Sequence, residues 1–406
     1  MIDADRPATP PRVRWLILAL IMLAQTVANI GPLGIPAIAS LIRGDLDLTL
    51  AQAGSFLSAY YIGPVSMSLF AGLLADRWGT ARTLVLGQAI IAAGLLAASA
   101  APTYGAFIAL MVVAGVGYGT LNPASTTAAM SWFPPRQRAT VVGLKQVGLP
   151  FGGMLGAAIL PAVALVLGWR LAIVASALAI AGCALACALI YRDPPAEAAA
   201  RRAGGGRGAL AAVLRTRDLW LVAAATGVFA GMQTVWMAFL ALYLEAVVGL
   251  SLLAASRYLA LAQAGGVLGR VAFGMLSDRV FGGRRRAPLV IAGCTSALCS
   301  VAIAYTGPGT SGPWLALLAL VFGFAGIGWN GVQHTLMAEL AGPGAAATAV
   351  GLGLAVSSGG VMLGPPIFGW FVQVAGGYRG PWIGLAVSMA AGLGLLALVR
   401  ERRRPL

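Results

Sequence analysis

The sequence carries little charge for its length. Only 10% of its 406 residues are charged, whereas ordinary soluble domains carry roughly 25%. A protein built from soluble domains is therefore not expected. The chain also has a single lysine, Lys145, and only four cysteines. The cysteines, at positions 183, 187, 294 and 299, fit neither a disulfide framework nor a zinc-site spacing, and we interpret them as small apolar residues in helix packing.

Motifs for enzymatic and nucleotide chemistry are missing as well. The glycine-rich stretches lack the Gly-Lys-Ser/Thr ending of a phosphate-binding loop, so an ATP-driven pump is not expected. The apolar stretches hold no pair of carboxylates and no cluster of metal ligands, so we do not expect an enzyme, a cofactor or a metal. The 55 glycines have no three-residue period, which excludes collagen.

Long apolar runs are what the chain has in abundance, since 59% of its residues are hydrophobic. A helix needs about 20 apolar residues to cross the hydrocarbon core of a bilayer. Twelve stretches are long enough: 15–41, 51–74, 83–101, 104–131, 139–166, 169–191, 219–245, 252–276, 287–306, 313–340, 349–374 and 380–399. The polar segment 192–218 predicts a linker. We therefore predict an all-α membrane protein with six helices in 1–191 and six in 219–406.

The basic residues predict the orientation of these spans. The chain has 27 basic and 12 acidic residues, for a net charge of +15. Twenty-one of the arginines flank the spans on the side of the two termini, and four lie on the other side. Cytoplasmic loops are enriched in Lys and Arg, so both termini are predicted to be cytoplasmic. The charge is a topology signal, and no nucleic-acid partner is expected.

The N-terminal apolar stretch and the overall composition predict where the protein is located. The apolar stretch that follows the N-terminus is too long for a cleavable signal and continues as a span. The content of Ala, Gly and Arg is typical of a GC-rich bacterial genome. We therefore expect a multi-pass protein of the cell inner membrane, a monomer whose partners are the lipid bilayer and a small-molecule substrate.

An internal repeat relates the two halves. The segment GLLADR at 72–77 recurs as GMLSDR at 274–279, and 139–156 recurs at 347–364 with nine of 18 positions identical. Gln25-Thr26-Val27 recurs as Gln233-Thr234-Val235, and Asn122 matches Asn330. Self-similarity of this kind predicts two pseudo-symmetric six-helix bundles.

At these residues the chain resembles the major facilitator superfamily. The G-x-L-x-D-R pattern after spans two and eight is similar to the signature loop of that superfamily. The resemblance implies two bundles around a central cavity that opens alternately to each side. Charged pairs beside helix ends can form a latch that one conformation breaks, so Asp76, Arg77, Asp278 and Arg279 are predicted gating residues. The alternative is that they only fix topology.

Spans five and eleven carry dense glycine patterns at 148–156 and 359–369. Small residues four apart let helices approach closely. The stretch G-x-x-x-G-P at 360–365 is similar to a fifth-span motif of exporters and antiporters, but here it lies in span eleven. That displacement weakens an inference of export. The alternative interpretation is tight packing without information on the substrate.

Arg270 in span eight is the first of two basic residues predicted inside the membrane. Burying a charge there is costly, so such a residue is a functional candidate by default. An arginine one turn before Gly274 resembles the carboxylate-binding residue of monocarboxylate and oxalate/formate transporters. The nitrate/nitrite branch would also have an arginine in span two, where this chain has Ser68. The alternative role for Arg270 is an ion pair with Asp278 or Glu339.

Lys145 in span five is the second basic residue inside the membrane. Its repeat partner is Gly353, so the charge is not part of the shared scaffold. Our hypothesis is that Lys145 and Arg270 together bind an organic anion, because guanidinium and ammonium groups both recognise carboxylates. The alternative is a lysine that extends its ammonium group to the membrane interface.

Other polar residues inside the spans are candidates for substrate or proton. Glu245, Glu339 and His334, the one histidine, could carry a proton; their alternatives are an interfacial acid, a partner of Arg270 and a packed imidazole. Amide and aromatic residues could line a substrate cavity or simply pack. The predicted substrate contacts beside Arg270 and Lys145 are Gln25, Asn29, Tyr60, Tyr61, Asn122, Gln233, Trp236 and Asn330.

The sequence thus favours a secondary transporter of a small, monocarboxylate-like organic anion, working by proton-coupled symport or anion exchange. The alternative is proton-driven efflux of hydrophobic or cationic drugs. Drug exporters usually place an acid within the first bundle, whereas spans one to six hold no carboxylate in mid-span.

Overall fold

The first half of the chain forms six long helices. The computed structural model describes residues 11–67, 78–133, 138–193, 212–342 and 345–401, and no strand occurs in these ranges. The helices are α1 Pro11–Gly34, α2 Leu50–Met67, α3 Thr80–Ser99, α4 Tyr104–Ser131, α5 Arg138–Leu167 and α6 Trp169–Ile190. A 3-10 turn (Ile35–Ile38) and a short helix (Ala39–Asp45) extend α1.

The second half repeats this arrangement with six further helices. They are α7 Arg217–Tyr243, α8 Leu252–Met275, α9 Arg286–Ile303, α10 Gly312–Phe322, α11 Ala346–Val374 and α12 Arg379–Ala397. Three of them continue into a π turn: Leu244–Val248 after α7, Leu276–Val280 after α8 and Gly323–Ile327 after α10. A further segment, Asn330–Ala341, completes α10.

The lengths and composition of these helices suit a bilayer. Within the described ranges, eleven helical segments are long and apolar enough to cross a membrane. The twelfth predicted stretch, 51–74, is described as far as residue 67, and this part forms helix α2, Leu50–Met67. The predicted all-α class with twelve helices in two sets of six is therefore confirmed, and the cytoplasmic position of the termini stays a prediction.

Contacts group the helices into two compact units. Unit one comprises Met1–Gly34, Ala59–Gly156 and Val163–Gly204, and unit two comprises Ile35–Ser58, Ala157–Ala162 and Gly205–Leu406. In unit one, α3 packs against α4 and α6. In unit two, α7 packs against α11 and α12, and α9 packs against α12. Much of the predicted linker, residues 194–211, lies outside the described residues.

Short polar residues set the starts of two helices. The Thr103 hydroxyl accepts a hydrogen bond from the backbone N–H of Ala106 (3.3 Å) at the start of α4. Ser251 accepts one from Ala254 (3.3 Å) at the start of α8. Each bond satisfies one of the backbone donors that a first helical turn leaves unpaired, which is why Ser and Thr favour this position.

Glycine pairs bring α2 against α4, and α8 against α10, at equivalent positions of the two units. A Cβ atom on Gly115 would lie 1.9 Å from the Tyr60 carbonyl oxygen, and one on Gly323 would lie 1.8 Å from that of Ala262. These residues correspond through the sequence repeat, at offsets of 208 and 202. Only glycine allows such backbone contact, so the repeat is structural as well as sequential.

The glycine-rich helices α5 and α11 also make close backbone contacts. A Cβ on Gly152 would lie 2.2 Å from the Thr26 carbonyl oxygen of α1. A Cβ on Gly360 would lie 1.9 Å from the Gly227 carbonyl oxygen of α7. The two helices therefore pack tightly on α1 and α7, which is the packing role that the glycine spacing predicts.

Candidate functional site

Unit one holds its lysine in the interior. The side chain of Lys145 on α5 is 0% exposed. Its Nζ donates to the Asn122 side-chain oxygen at 2.5 Å, to the Asn122 backbone oxygen at 3.1 Å and to the Thr126 hydroxyl at 2.9 Å. All three acceptors lie on α4. Lys145 is thus held by hydrogen bonds inside the bundle and does not reach out to a membrane interface.

Amide side chains of α1 extend this polar cluster in unit one. The Gln25 amide donates to the Tyr118 hydroxyl at 2.9 Å and accepts from Ser125 at 3.4 Å. Asn29 donates to the Gln25 backbone oxygen at 2.6 Å. Both amides are 0% exposed. The predicted contacts Gln25, Asn29 and Asn122 therefore belong to a single hydrogen-bonded layer between α1 and α4.

The two tyrosines of α2 differ in their environments. Tyr60 is 0% exposed and packs its ring 5.5 Å from that of Tyr118. Tyr61, its neighbour, is half-buried and stands edge-on to it at 5.8 Å. The Tyr60 ring therefore packs inside unit one, its hydroxyl has no hydrogen-bond partner among the described residues, and Tyr61 is the more accessible of the two.

Unit two repeats the amide layer. Gln233 on α7 corresponds to Gln25, and its side-chain oxygen accepts from the Trp329 indole at 3.1 Å and from Asn330 at 3.3 Å. Asn330 corresponds in turn to Asn122. The repeat therefore preserves an amide of the first helix bonded to the fourth helix of its own unit.

The lysine pocket is where the two units differ. Lys145 corresponds to Gly353, and Thr126 and Ser125 correspond to His334 and Gln333. A Cβ on Gly353 would lie 2.5 Å from the Gln333 side-chain nitrogen. In unit two the Gln333 side chain therefore lies against α11 at Gly353, the position that corresponds to Lys145 on α5 of unit one.

Arg270 lies on α8, half-buried, one turn before Gly274. It is close enough to His334 on the C-terminal segment of α10 to interact with it electrostatically. His334 is itself half-buried. Unit two thus brings together a guanidinium and an imidazole, two of the residue types that bind and shuttle charge.

Arg285 forms an ion-pair network at the end of unit two, beside the loop that contains the segment 274–279. Arg285 bonds Asp278, and its Nη2 lies 3.2 Å from the Glu339 carboxylate. Burial alone would lower the pKa of Arg285, but the bonds to both carboxylates outweigh it, and the pKa lies above its ordinary value. Both carboxylates that the sequence offers as partners for Arg270 are therefore bonded to Arg285.

The four predicted gating residues have different outcomes. Asp278 pairs with Arg285 and not with its neighbour Arg279, whose side chain is exposed. Successive residues of a helical turn point in different directions, so Asp278 and Arg279 do not face each other in the turn Leu276–Val280. Asp76 and Arg77 lie outside the described residues.

Glu245 lies in the π turn that ends α7. It is half-buried, and one of its carboxylate oxygens accepts from the Ser40 hydroxyl at 2.8 Å. Tyr243, two residues earlier, donates to the backbone of Ile303 at 2.9 Å and packs edge-on against Tyr378 at 5.2 Å. Glu245 is thus anchored within unit two to the short helix that follows α1.

Trp236 lies in the packed interior of unit two. It is 1% exposed, its ring stacks on Phe322 at 3.9 Å, and its indole donates to the Ser300 hydroxyl at 2.9 Å. Trp382 packs against it at 5.1 Å. These contacts satisfy both the ring and the N–H, as in a core tryptophan, and they give Trp236 a structural role.

Two residues were missed by sequence reasoning. Arg285 stands in a run of three arginines that reads as a topology signal, and only the fold brings it to Asp278 and Glu339. Gln263 on α8 is 0% exposed, and it precedes Arg270 by seven residues. That spacing on one helix face was the available signal. No group of three or more metal-ligating side chains occurs in the described ranges.

Twelve described helices in two repeated sets, with amides and basic groups held inside them, are the architecture of a membrane transporter. The chain belongs to the Major Facilitator Superfamily, whose family model matches residues 15–362. It is therefore a membrane transporter and not an enzyme.

Individual members of the family are similar along most of the chain. A probable sulfoacetate transporter, SauU, of Cupriavidus necator is 26% identical over 95% of this chain and 93% of its own length. A hexuronate transporter of Escherichia coli is 22% identical over 84% and 83%. The solved structure of the nucleoside transporter NupG superposes with a TM-score of 0.80 at 16% identity, over 96% of this chain and all of the other, which supports the fold alone.

Proposed function

We propose that this chain transports a small organic anion across a bacterial inner membrane and that Arg270 is its principal anion-binding residue. The observation that carries the proposal is the half-buried guanidinium of Arg270 on α8, a charged group inside a predicted membrane span. Guanidinium stays charged and binds carboxylate or sulfonate through two parallel hydrogen bonds. The similarity to transporters named for sulfoacetate and hexuronate supports an anionic substrate.

Lys145 supplies a second positive charge in the other unit. Its ammonium group is fully buried and held by Asn122 and Thr126. A buried charge inside a membrane protein is costly and is retained where it has a function. We assign it a contribution to anion transport, and its absence from the repeat partner Gly353 supports a specialised role.

His334 is the group that we assign to proton coupling. An anion bound at Arg270 would place negative charge near the imidazole of His334 and would favour its protonation. Substrate and proton would then bind together, as symport requires, because such coupling is reciprocal. Glu339 is engaged by Arg285 and Glu245 by Ser40, which leaves His334 as the acid–base group beside the anion site.

A ligand screen of the purified full chain tests the anion assignment. Melting temperatures are measured with galacturonate, sulfoacetate, 4-hydroxybenzoate, nitrate and ethidium, because a ligand that binds the folded state raises the melting temperature. We expect stabilisation by one or more organic anions, its loss in Arg270→Gln and its partial retention in Arg270→Lys. Arg257→Gln, which removes an exposed arginine from the same helix, is the matched control. Stabilisation by ethidium alone would contradict the proposal.

Uptake into proteoliposomes tests the coupling. With an inward proton gradient, wild-type protein should accumulate the anion found in the screen. His334→Gln should lose gradient-driven accumulation but keep exchange of internal for external anion, because Arg270 is intact. Accumulation by His334→Gln at the wild-type rate would remove His334 from the mechanism.

A further inference from the structure

Gln263 occupies the middle of α8. It follows Leu252 by eleven residues and precedes Met275 by twelve, and substrate sites of such transporters lie near the bilayer midplane. Its side chain is 0% exposed, and neither the amide nitrogen nor the amide oxygen makes a hydrogen bond to any described residue. A buried side-chain amide without any hydrogen bond is rare in proteins, because it loses its hydrogen bonds to water and gains none in return.

The position of Gln263 on the helix connects it with the anion site. Seven residues are close to two helical turns, so Gln263 and Arg270 share one face of α8, about 10 Å apart along the axis. Both side chains are long, so the distance between the Gln263 amide and the Arg270 guanidinium can match the length of a small molecule. The repeat supports the same conclusion, because Gln263 corresponds to Tyr61, the half-buried tyrosine of α2.

The chemistry of an amide specifies what could satisfy it. A primary amide donates through its nitrogen and accepts through its oxygen. A second carboxylate or sulfonate could only accept, and it would leave the Gln263 oxygen unused. A hydroxyl both accepts and donates, so it satisfies both amide atoms at once.

We propose that Gln263 selects the substrate by hydrogen bonding a hydroxyl group of an organic anion whose acidic group binds Arg270. The substrate class is then the small hydroxylated carboxylates. This inference rests on the proposed function, because it takes Arg270 as the anion site. Gln263 is a specificity residue in this scheme.

Pairs of ligands that differ by a single group test the proposal. Titrations of the purified full chain compare 4-hydroxybenzoate with 4-methylbenzoate, and 4-hydroxybutyrate with pentanoate, so that a methyl replaces the hydroxyl at similar size. Wild-type protein should bind the hydroxylated member of at least one pair about ten-fold more tightly, the ratio that about 1.4 kcal/mol provides. Gln263→Leu should equalise the members of that pair without weakening the methylated anion.

Controls separate this proposal from the one on which it rests. Gln88→Leu replaces an equally buried glutamine of α3 in unit one and should leave the ratio unchanged. Arg270→Gln should weaken both members of each pair. If Arg270→Gln weakens both but wild-type protein does not discriminate within either pair, the role of Gln263 is refuted and the anion site stands. If no pair binds, the assignment to small hydroxylated carboxylates is refuted, and if Arg270→Gln binds like wild type, both proposals fail.

Stability distinguishes a ligand-binding amide from a structural one. Because its amide bonds nothing in the described structure, Gln263→Leu and Gln263→Met should melt at or above the wild-type temperature in the absence of ligand. If both variants melt well below wild type or fail to fold, the amide has structural partners and the proposal is overturned.

Discussion

The close approach of glycines in equivalent helix pairs gives a prediction with a definite sign. Gly115→Ala would put a methyl group 1.9 Å from the Tyr60 carbonyl oxygen, and Gly323→Ala would put one 1.8 Å from that of Ala262. A carbon and a carbonyl oxygen need about 3.3 Å, so each helix pair must separate by about 1.4 Å. Overpacking of this kind costs about 1–3 kcal/mol, which exceeds the gain of about 0.8–1.0 kcal/mol in helix propensity.

Apparent melting temperatures of the purified variants measure this effect. Gly115→Ala and Gly323→Ala should both melt below wild type, by similar amounts, because their contacts are equivalent. Gly105→Ala and Gly331→Ala are the matched controls, since a Cβ at either position meets nothing within 4 Å. The controls should melt at or above wild type. If Gly115→Ala and Gly323→Ala melt no lower than the controls, the backbone contact does not hold these helices together.

Three further variants test particular contacts. Lys145→Met removes the only described donor to the Asn122 and Thr126 side-chain oxygens; it should abolish uptake and lower stability by about 1–3 kcal/mol, measured by transport and melting. Arg285→Gln breaks an ion-pair network in which the arginine side chain is 15% exposed and its carboxylate partners are 64% and 37% exposed, so it should cost about 1 kcal/mol, and the difference from wild type should shrink in 1 M salt. Trp236→Phe keeps the ring stacking but loses the bond to Ser300; titration should show unchanged affinity, and melting should reveal a loss of about 1 kcal/mol.

Much of the fold could be predicted from the sequence, because a bilayer imposes a strict length and polarity on each helix. Every predicted span overlaps a described helix, and the spacing of glycines in 148–156 and 359–369 anticipates where α5 and α11 meet their neighbours. The repeat also matched Asn122 with Asn330, and both lie in the amide layer of their own units.

The details of the site could be predicted only in part. The sequence placed Asp278 beside Arg279, but the fold brings Arg285 across a loop to take that carboxylate. Long-range pairing of this kind depends on where a chain turns, which local patterns do not encode. The unused amide of Gln263 was equally out of reach, since only the packed neighbours reveal that it bonds nothing.

The π turns of unit two allow part of a helix to rotate about its axis while the rest of that helix stays in place. All three described π turns lie there, after α7, α8 and α10. Each accommodates one surplus residue, and shifting that surplus along a helix turns the intervening residues by about 100° around its axis. At Gly323–Ile327 such a rotation would reach Asn330 and His334. Because Gly323 belongs to that turn and contacts the Ala262 carbonyl oxygen, such a shift would also loosen α10 from α8.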